Sequence, residues 1–469
     1  MRKILVLVLW LSAVEAAAFC GFFVAGADTS IFNEASQVIL VRDGRRTTIN
    51  MLNDFKGEPD EFALVVPVPV VLQKEQVKTI DAKLFAHVDQ LSAPRLVEYW
   101  EQDPCAPHVV YEVMMGRGAP TAALRSKSVA DADYGVEVKA RFAVGEYQIV
   151  ILGAKESTGL ERWLHDHKYQ IPKGAAEVLA PYIQQKMNFF VAKVDVTKVK
   201  RDEAGFTYLS PLQFTFEHDA FELPIRIGML NANGPQDLIT FVIAQQRYEV
   251  SSYPTVSIPT NLEVPEETAQ DFASFYLDLF DRTVSRDGPV VVTEYAWDTS
   301  SCDPCPGPVL TPDELHKLGA PEAWSTATLT RLHARYTKKT FPRDLTFAAA
   351  APLQGGRGFD NVFKWEPDVR MPVIVPGPQG VNNFQGRYII YHRWTGPISC
   401  AQPVRGNWGG PPQGRPSRPI AATDLGAAMR TRKPFRPAGM SAKPISKEAP
   451  ATPKSGSGQG CAASPGARP

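Results

Sequence analysis

The sequence of 469 residues lacks the local motifs that identify the common enzyme classes. It contains no G-x-S-x-G segment for a nucleophilic serine, no phosphate-binding glycine loop and no H-E-x-x-H pair for zinc. Its eight histidines are scattered apart from His165-Asp166-His167. Side chains two positions apart point to different sides of a helix, so these two rings are poorly placed to share one metal ion. We therefore predict no catalytic, cofactor-binding or metal-binding residue, and no bound cofactor.

Long apolar runs are also missing, except at the amino terminus. Arg2 and Lys3 precede eleven apolar residues at 4–14, and the small residues at 16–18 follow. Eleven residues fall short of the roughly 20 that a membrane-spanning helix needs, whereas this order is typical of a cleaved signal peptide. We expect a signal peptide at residues 1–18, a periplasmic or extracellular mature protein, and no transmembrane segment after cleavage.

Excess charge of either sign is absent overall, because 50 basic residues balance 50 acidic ones. The distribution is uneven: residues 405–469 hold eleven Lys and Arg but only Asp424 and Glu448, which leaves residues 19–404 with a net charge of about −10. An acidic body argues against nucleic acid as a partner. The segment 405–469 is rich in Pro, Gly, Ser and Ala and poor in large aliphatic residues, a composition that predicts a disordered basic tail.

Cysteine is scarce, with six in the chain. Disulfide bonds are the default expectation for an exported protein, and six cysteines allow fifteen pairings that the sequence alone leaves open. We expect Cys461, in the predicted tail, to be the free thiol. The candidates for disulfide bonds are Cys20, Cys105, Cys302, Cys305 and Cys400.

Cys302-Asp303-Pro304-Cys305 is a C-x-x-C motif. A zinc site would need a second such pair or two histidines at ligand spacing, and a redox pair usually lies at a helix N-terminus, which lowers the pKa of the thiol. Prolines within and beside this motif prevent a helix from beginning there. We therefore predict a structural role, in which Cys302 or Cys305 bonds to a distant cysteine such as Cys400 or Cys105. A catalytic pair would instead be bonded to itself and exposed.

Apolar residues that alternate with polar ones predict a chain built mainly of β-strands. Asp43-Gly44 marks a hairpin between two of them. Apolar residues at helical spacing predict helices near 80–91 and 269–280. The pairs Thr158/Glu161 and Thr311/Glu314 have the spacing of capping boxes at helix N-termini.

Two segments look like copies of each other, since 98–105 and 294–305 both contain Glu-Tyr, a tryptophan and Asp-Pro-Cys. We interpret them as the traces of a duplication. The predicted fold is therefore β-rich α+β, with two related sandwich-like lobes at 19–205 and 206–404, packing helices, and the disordered tail.

Several segments resemble the bacterial family of domain of unknown function 2330. The resemblance covers most of residues 19–400 and implies an exported bacterial protein with no established activity, and hence no functional residues to transfer. The matching segments are Cys20-Gly21, Phe62-x-x-Val65-Val66-Pro67-Val68-Pro69, Glu98-Tyr99-Trp100-x-x-Asp103-Pro104-Cys105, Gly159-Leu160-x-x-Trp163-Leu164, Leu223-Pro224-Ile225-Arg226-x-Gly228 and Phe341-Pro342-x-Asp344-Leu345.

For function, the sequence favours a non-enzymatic binding or scaffold protein of the cell envelope or the medium, with an envelope protein or a polysaccharide as partner. The alternative is an envelope enzyme. It would be either a thiol–disulfide oxidoreductase that uses the C-x-x-C motif or a hydrolase whose site is assembled between the lobes.

The signal pattern makes a direct prediction. Mass spectrometry of the native protein is expected to find a mature N-terminus at or near Phe19, because the small residues at 16–18 fit the cleavage site. An intact Met1 in the soluble interior of the cell would contradict export.

Overall fold

The computed structural model describes most of the chain between residues 22 and 425. The described ranges are 22–25, 35–52, 62–106, 131–132, 136–167, 174–201, 207–230, 235–355, 360–366, 369–375, 380–412, 419–423 and 425. The predicted signal peptide, Cys20 and Cys461 lie outside them. No helix in these ranges is long and apolar enough to cross a membrane.

Strands outnumber helices throughout the described chain. The strands are β1 Phe22–Ala25, β2 Ala35–Asp43, β3 Arg46–Leu52, β4 Phe62–Val68, β5 Val77–Thr79, β6 Arg95–Glu101, β7 Asp131–Ala132, β8 Val136–Val144, β9 Tyr147–Ala154, β10 Asn188–Val194, β11 Lys200–Arg201, β12 Thr207–Tyr208, β13 Leu212–Glu217, β14 Glu222–Leu223, β15 Gln236–Ala244, β16 Tyr248–Val250, β17 Thr255–Ser257, β18 Leu262–Glu263, β19 Val291–Asp298, β20 Thr328–Tyr336, β21 Leu345–Ala349, β22 Asp360–Glu366, β23 Val369–Val375, β24 Asn383–Gln385, β25 Arg387–His392, β26 Trp408–Gly409 and β27 Ile420–Ala421. The α-helices are α1 Lys83–Ser92, α2 Ser157–Asp166, α3 Ala175–Gln184, α4 Phe272–Asp287 and α5 Pro312–Lys317.

Three sheets carry the fold. A six-stranded sheet has the order β1-β4-β10-β9-β8-β7, and a nine-stranded sheet has the order β17-β19-β20-β15-β2-β3-β13-β5 with β24 added at β19. A five-stranded sheet has the order β18-β25-β6-β26, with β27 also paired to β6. The β-rich α+β class predicted from the sequence is confirmed.

The sheets stack in layers because side chains alternate along their strands. In β2, Val38 and Leu40 face the core between the nine-stranded and six-stranded sheets, whereas Ile39 and Val41 face the core under α1, α4 and the five-stranded sheet. The outer face of the six-stranded sheet packs against α2 and α3. Both faces of the nine-stranded sheet are therefore buried, one in each of these two cores.

Two of the three local turn and cap signals in the sequence are confirmed. Gly44 has φ +52° in the turn between β2 and β3, as the Asp-Gly hairpin requires. The Thr311/Glu314 capping box is present at the start of α5. The prediction of a capping box at Thr158/Glu161 is wrong, because α2 begins at Ser157 and its N-cap is Glu156.

The division into lobes at residue 205 is wrong, because strands from both predicted lobes pair in the same sheets. In the nine-stranded sheet β2 lies beside β15, in parallel register from Ala35↔Asp237 to Arg42↔Ala244. In the five-stranded sheet β6 pairs with β25. Alternation of apolar residues identifies strands but not their partners, and the partners decide where a domain ends.

The two similar Glu-Tyr-Trp segments occupy different settings. The first forms β6 in the five-stranded sheet, and the second forms β19 in the nine-stranded sheet. The topology gives no two-fold repetition around them, so the duplication remains an interpretation of the sequence.

The packed body does not stop at 404, as the tail composition suggested. Arg405 donates to the buried carboxylate of Glu101 at 2.8 Å, β26 and β27 pair with β6, and Leu425 is buried in the core beside α1 and α4. The described residues up to Leu425 belong to one compact unit. Proline and glycine disfavour regular elements, but they do not prevent a chain from packing in extended form.

A network of buried charges lies between the nine-stranded sheet and the α1–α4 layer. Its centre is Glu294, the extra residue of a β-bulge where Thr293 pairs with Leu332 and Tyr295 with Arg331. The bulge turns the Glu294 side chain into the core. There its carboxylate accepts from Arg331 Nε at 2.5 Å, from His333 Nδ1 at 2.7 Å and from the Tyr276 hydroxyl.

The network continues from these residues to the helices. Arg331 also donates to Asp89 of α1 at 2.5 Å, and Arg335 pairs with Asp281 of α4. His333 Nε2 lies 2.8 Å from Asp237 of β15. The network, which we call the buried charge network, thus joins three strands to both helices.

The protonation states in this network follow from its geometry. Both ring nitrogens of His333 face carboxylate oxygens, which only accept, so the ring carries both protons and a positive charge. Burial alone would lower the pKa of His333, but Glu294 and Asp237 raise it above its ordinary value. Burial alone would raise the pKa of Glu294, but His333 and Arg331 outweigh it and lower the pKa to about 2.

We expect Glu294→Gln to lower the free energy of unfolding by about 3–5 kcal/mol at pH 6, because it leaves buried cations without their carboxylate. The raised pKa of His333 gives stability below its unfolded pKa of about 6.5 that is lost as pH rises through the folded pKa. The lowered pKa of Glu294 gives stability above about 4.3 that is lost as pH falls towards its folded pKa of about 2.

Denaturant unfolding at pH 3, 5 and 9 tests this. The difference between the wild type and Glu294→Gln should be largest near pH 5 and smaller at both extremes. Asp313→Asn, which removes an exposed i,i+4 partner of Lys317, is the control and should change little. A difference that does not vary with pH would show that the charges do not act as a network.

Candidate functional site

A cavity of about 530 Å³ lies where three strands of the six-stranded sheet end beside α3. Its volume is in the range of small-molecule sites. The lining combines an apolar floor with a polar rim and comprises Val136, Glu137, Lys139, Gly153, Ala154, Lys155, Ile183, Gln184, Lys186, Met187 and Asn188.

A β-bulge places the first of the three lysines. Val138 pairs with Leu152 and Ala140 pairs with Ile151, so Lys139 is the extra residue of β8. Bulges bend a strand and redirect a side chain, and they are frequent beside functional sites. The Lys139 ammonium pairs with Glu137.

Gly153 makes room for the Lys139 side chain. It lies across from Glu137 on one side and Asn188 on the other, in one row across β8, β9 and β10. A Cβ atom on Gly153 would stand 2.9 Å from Lys139 Cε and 3.6 Å from Asn188 Oδ1. A larger residue here would displace the lysine from its position in the cavity.

The end of α3 places a second lysine. Lys186 N–H donates to Ile183 O at 2.9 Å and Met187 N–H donates to Tyr182 O at 2.9 Å, which is the hydrogen-bond pattern of a Schellman motif. The motif needs a left-handed residue, and Lys186 fills that position with φ +58°. Glycine is strongly preferred there, because a side chain in this conformation costs roughly 1–2 kcal/mol.

The rim has an excess of positive charge. Lys155 follows β9 directly, is exposed like Lys186, and neither makes an ion pair with a described residue. Against three ammonium groups there is one carboxylate, that of Glu137. On a body of net negative charge, the rim therefore carries a local excess of positive charge, above apolar contacts from Val136, Ile183 and Met187.

Two disulfide bonds join four of the five predicted cysteines. Cys105 bonds to Cys400, whose Cα atoms lie 5.6 Å apart because the parallel pairing of β6 and β25 brings the two chain segments together. Cys302 bonds to Cys305, with Cα atoms 5.0 Å apart. The prediction that one of the C-x-x-C cysteines bonds to a distant cysteine is therefore wrong, because the loop turns back on itself.

The two bonds differ in what they contribute to stability. In the chain-entropy model, a sequence separation of 295 is worth about 6 kcal/mol, against about 2 kcal/mol for a separation of 3. Of the two bonds, Cys105–Cys400 therefore contributes more to the stability of the fold. The short bond shapes its own loop.

The C-x-x-C loop is anchored from beneath by two buried side chains. Arg95 Nη1 donates to Pro304 O at 2.8 Å, and the Gln385 side-chain amide donates to Asp303 O. Cys305 is exposed, whereas Cys302 is half-buried against the core under α1 and α4.

The histidine pair singled out in the sequence has a local role. His167 stacks on Trp163 with ring centroids 3.8 Å apart, and its Nδ1 lies 2.7 Å from the Trp163 carbonyl oxygen. The His165 side chain is exposed. Within the described ranges no group of three or more His, Cys, Asp or Glu side chains is placed to hold a metal ion.

Sequence reasoning missed both the lysine-rimmed cavity and the buried charge network. In β20, Arg331, His333 and Arg335 alternate with Leu332 and Ala334. Such alternation ordinarily indicates that the polar side of the strand faces solvent. Here that side is buried, because acidic residues of other elements pair with its basic side chains. A bulge leaves no comparable trace in residues 136–144.

A family model described as "uncharacterized protein conserved in bacteria" matches residues 14–348. No curated protein and no solved structure matches the chain.

Proposed function

Because this chain belongs to the bacterial family of domain of unknown function 2330, which supplies no activity to transfer, we propose a function from its own residues. The protein is an exported binding or scaffold protein of the cell envelope, and it holds an anionic polysaccharide at the lysine-rimmed cavity. The observation that carries the proposal is the pair of backbone irregularities, each of which places a lysine at the same cavity.

Export is supported by two independent features. The amino terminus has the order of a signal peptide, and the two disulfide bonds suit an oxidising compartment outside the cytoplasm. The mature protein would then work in the periplasm or outside the cell, where envelope polymers are within reach.

The cavity favours an anionic ligand over a neutral one. Lys186 occupies a left-handed position, where glycine would fit with less strain. The bulge at Lys139 interrupts the regular pairing of β8 with β9, so that this residue has no partner in the ladder. Local strain of this kind is common at binding sites, and an ammonium rim recognises carboxylates. An acidic polysaccharide supplies carboxylates together with sugar rings for the apolar floor.

The test uses a galacturonic acid hexamer as the probe and its methyl ester as a neutral control of nearly the same shape. Titration calorimetry of the mature protein at low salt should detect the acid and not the ester. Lys155→Gln and Lys186→Gln should each weaken binding roughly fivefold, by loss of one charged contact. Lys338→Gln, at an exposed turn that does not line the cavity, is the matched control.

Lys186→Gly separates binding from stability. Glycine removes the charge but suits the left-handed backbone, so the affinity should fall while the melting temperature stays the same or rises. Equal binding of the acid and the ester, or an affinity that neither cavity variant changes, would contradict the proposed site.

A further inference from the structure

We propose that Cys302 and Cys305 form a redox-active pair that exchanges disulfides with exported thiol proteins, with Cys305 as the sulfur that is attacked. This activity is independent of polysaccharide binding, since the C-x-x-C loop shares no residue with the lysine-rimmed cavity. It rests on the pairing, the exposure and the anchoring of the loop.

Cys302 and Cys305 are bonded across a separation of only three residues. A bond between cysteines three residues apart adds little constraint to the fold, whereas Cys105–Cys400 closes most of the chain. The short bond can therefore open without loss of the native structure. A redox-active disulfide requires this property, because it opens and closes in every cycle.

The two sulfurs differ in accessibility. Cys305 is exposed and can be reached by the thiol of another protein. Cys302 is half-buried and packs against the apolar core. An external thiol is thereby directed to Cys305. Cys302 remains available for the intramolecular step that closes the bond again.

The anchoring keeps the two sulfurs near each other after reduction. Both carbonyls between the cysteines are held by buried donors, Arg95 at Pro304 and Gln385 at Asp303. The loop therefore retains its backbone when the bond opens, and re-closure has a high effective concentration. Arg95 and Gln385 are positioning residues in this scheme.

Arg95 also brings charge to the loop. Its other contacts are the Leu91 carbonyl and the face of Tyr295, and Arg331 and Arg387 act on it as further cations. Its contact with the Pro304 carbonyl therefore places a buried guanidinium beside the C-x-x-C loop.

The exchange proceeds by two nucleophilic attacks. A thiolate of a substrate dithiol attacks Cys305 Sγ, the bond to Cys302 breaks, and its electron pair leaves on Cys302 Sγ, which takes a proton. The second substrate thiolate then attacks the substrate sulfur of the mixed disulfide and releases Cys305 as a thiolate, which is protonated in turn. The substrate gains a disulfide, the pair becomes a dithiol, and a low-molecular-weight disulfide from the surroundings restores it.

The first experiment reduces the full-length mature protein in graded dithiothreitol buffers, followed by alkylation and peptide mapping. We expect Cys302 and Cys305 to be alkylated at reductant ratios at least tenfold lower than those needed for Cys105 and Cys400, with an unchanged circular dichroism spectrum. Reduction of both bonds together, or only with unfolding, would overturn the proposal.

The second experiment traps the intermediate on the attacked sulfur. Cys302→Ser leaves Cys305 as the single free thiol of the loop, and it should form a mixed disulfide with oxidised glutathione at least tenfold faster than Cys305→Ser does through Cys302. Equal rates, or faster trapping by Cys302, would contradict the assignment of the attacked sulfur.

The third experiment measures turnover by the oxidation of a dithiol peptide in the presence of oxidised glutathione, which restores the pair. The wild type should accelerate it, the double variant Cys302→Ser/Cys305→Ser should not, and Cys105→Ser/Cys400→Ser, if folded, should retain the activity. Gln385→Leu should slow re-closure of the pair without slowing the first attack, which a merely structural residue would not do. Absence of acceleration by the wild type would contradict the proposal and leave the Cys302–Cys305 bond with a structural role only. The proposed polysaccharide binding would not be affected by that result.

Discussion

The carboxylate of Glu294 is the interaction on which the rest of the fold depends. It is buried, it faces two cations and a tyrosine hydroxyl, and these belong to β20 and α4. Through Arg331 the same group is connected to Asp89 of α1. An isolated charge in such a place would be prohibitive, so each member of the network fixes the position of the next. Apolar packing holds the layers together, and the charges set how the helices lie on the sheet.

The same backbone device serves the cavity at the other side of the molecule. At Glu294 and at Lys139 an extra residue interrupts an antiparallel ladder and turns a charged side chain out of the regular alternation. In the first case the charge enters a core and is neutralised there. In the second it reaches a cavity with more cations than anions. The first charge adds to stability, and the second lies in the cavity at which we propose that an anion binds.

The sequence predicts those parts of this protein that neighbouring residues determine. The Asp43-Gly44 turn and the cap at Thr311 follow from local chemistry, and both are confirmed. The partners of β2 and β6 depend on residues some 200 to 300 positions away, so a boundary drawn from composition alone failed. The cysteine pairing failed for the same reason, since the parallel pairing of β6 with β25 brings Cys105 to Cys400. Neither bulge has a signature in composition or periodicity.

Hydrogen exchange of the wild type and Arg331→Met tests most directly whether buried charge fixes the helices on the nine-stranded sheet. Methionine keeps much of the length of the side chain but breaks the links to Asp89 and Glu294. We expect the amides of α1 and β19 to lose protection by roughly tenfold or more, while those of α2 and α3, which pack on the six-stranded sheet, keep theirs. Equal loss in all four elements, or no loss in α1, would show that apolar packing alone holds the layer in place.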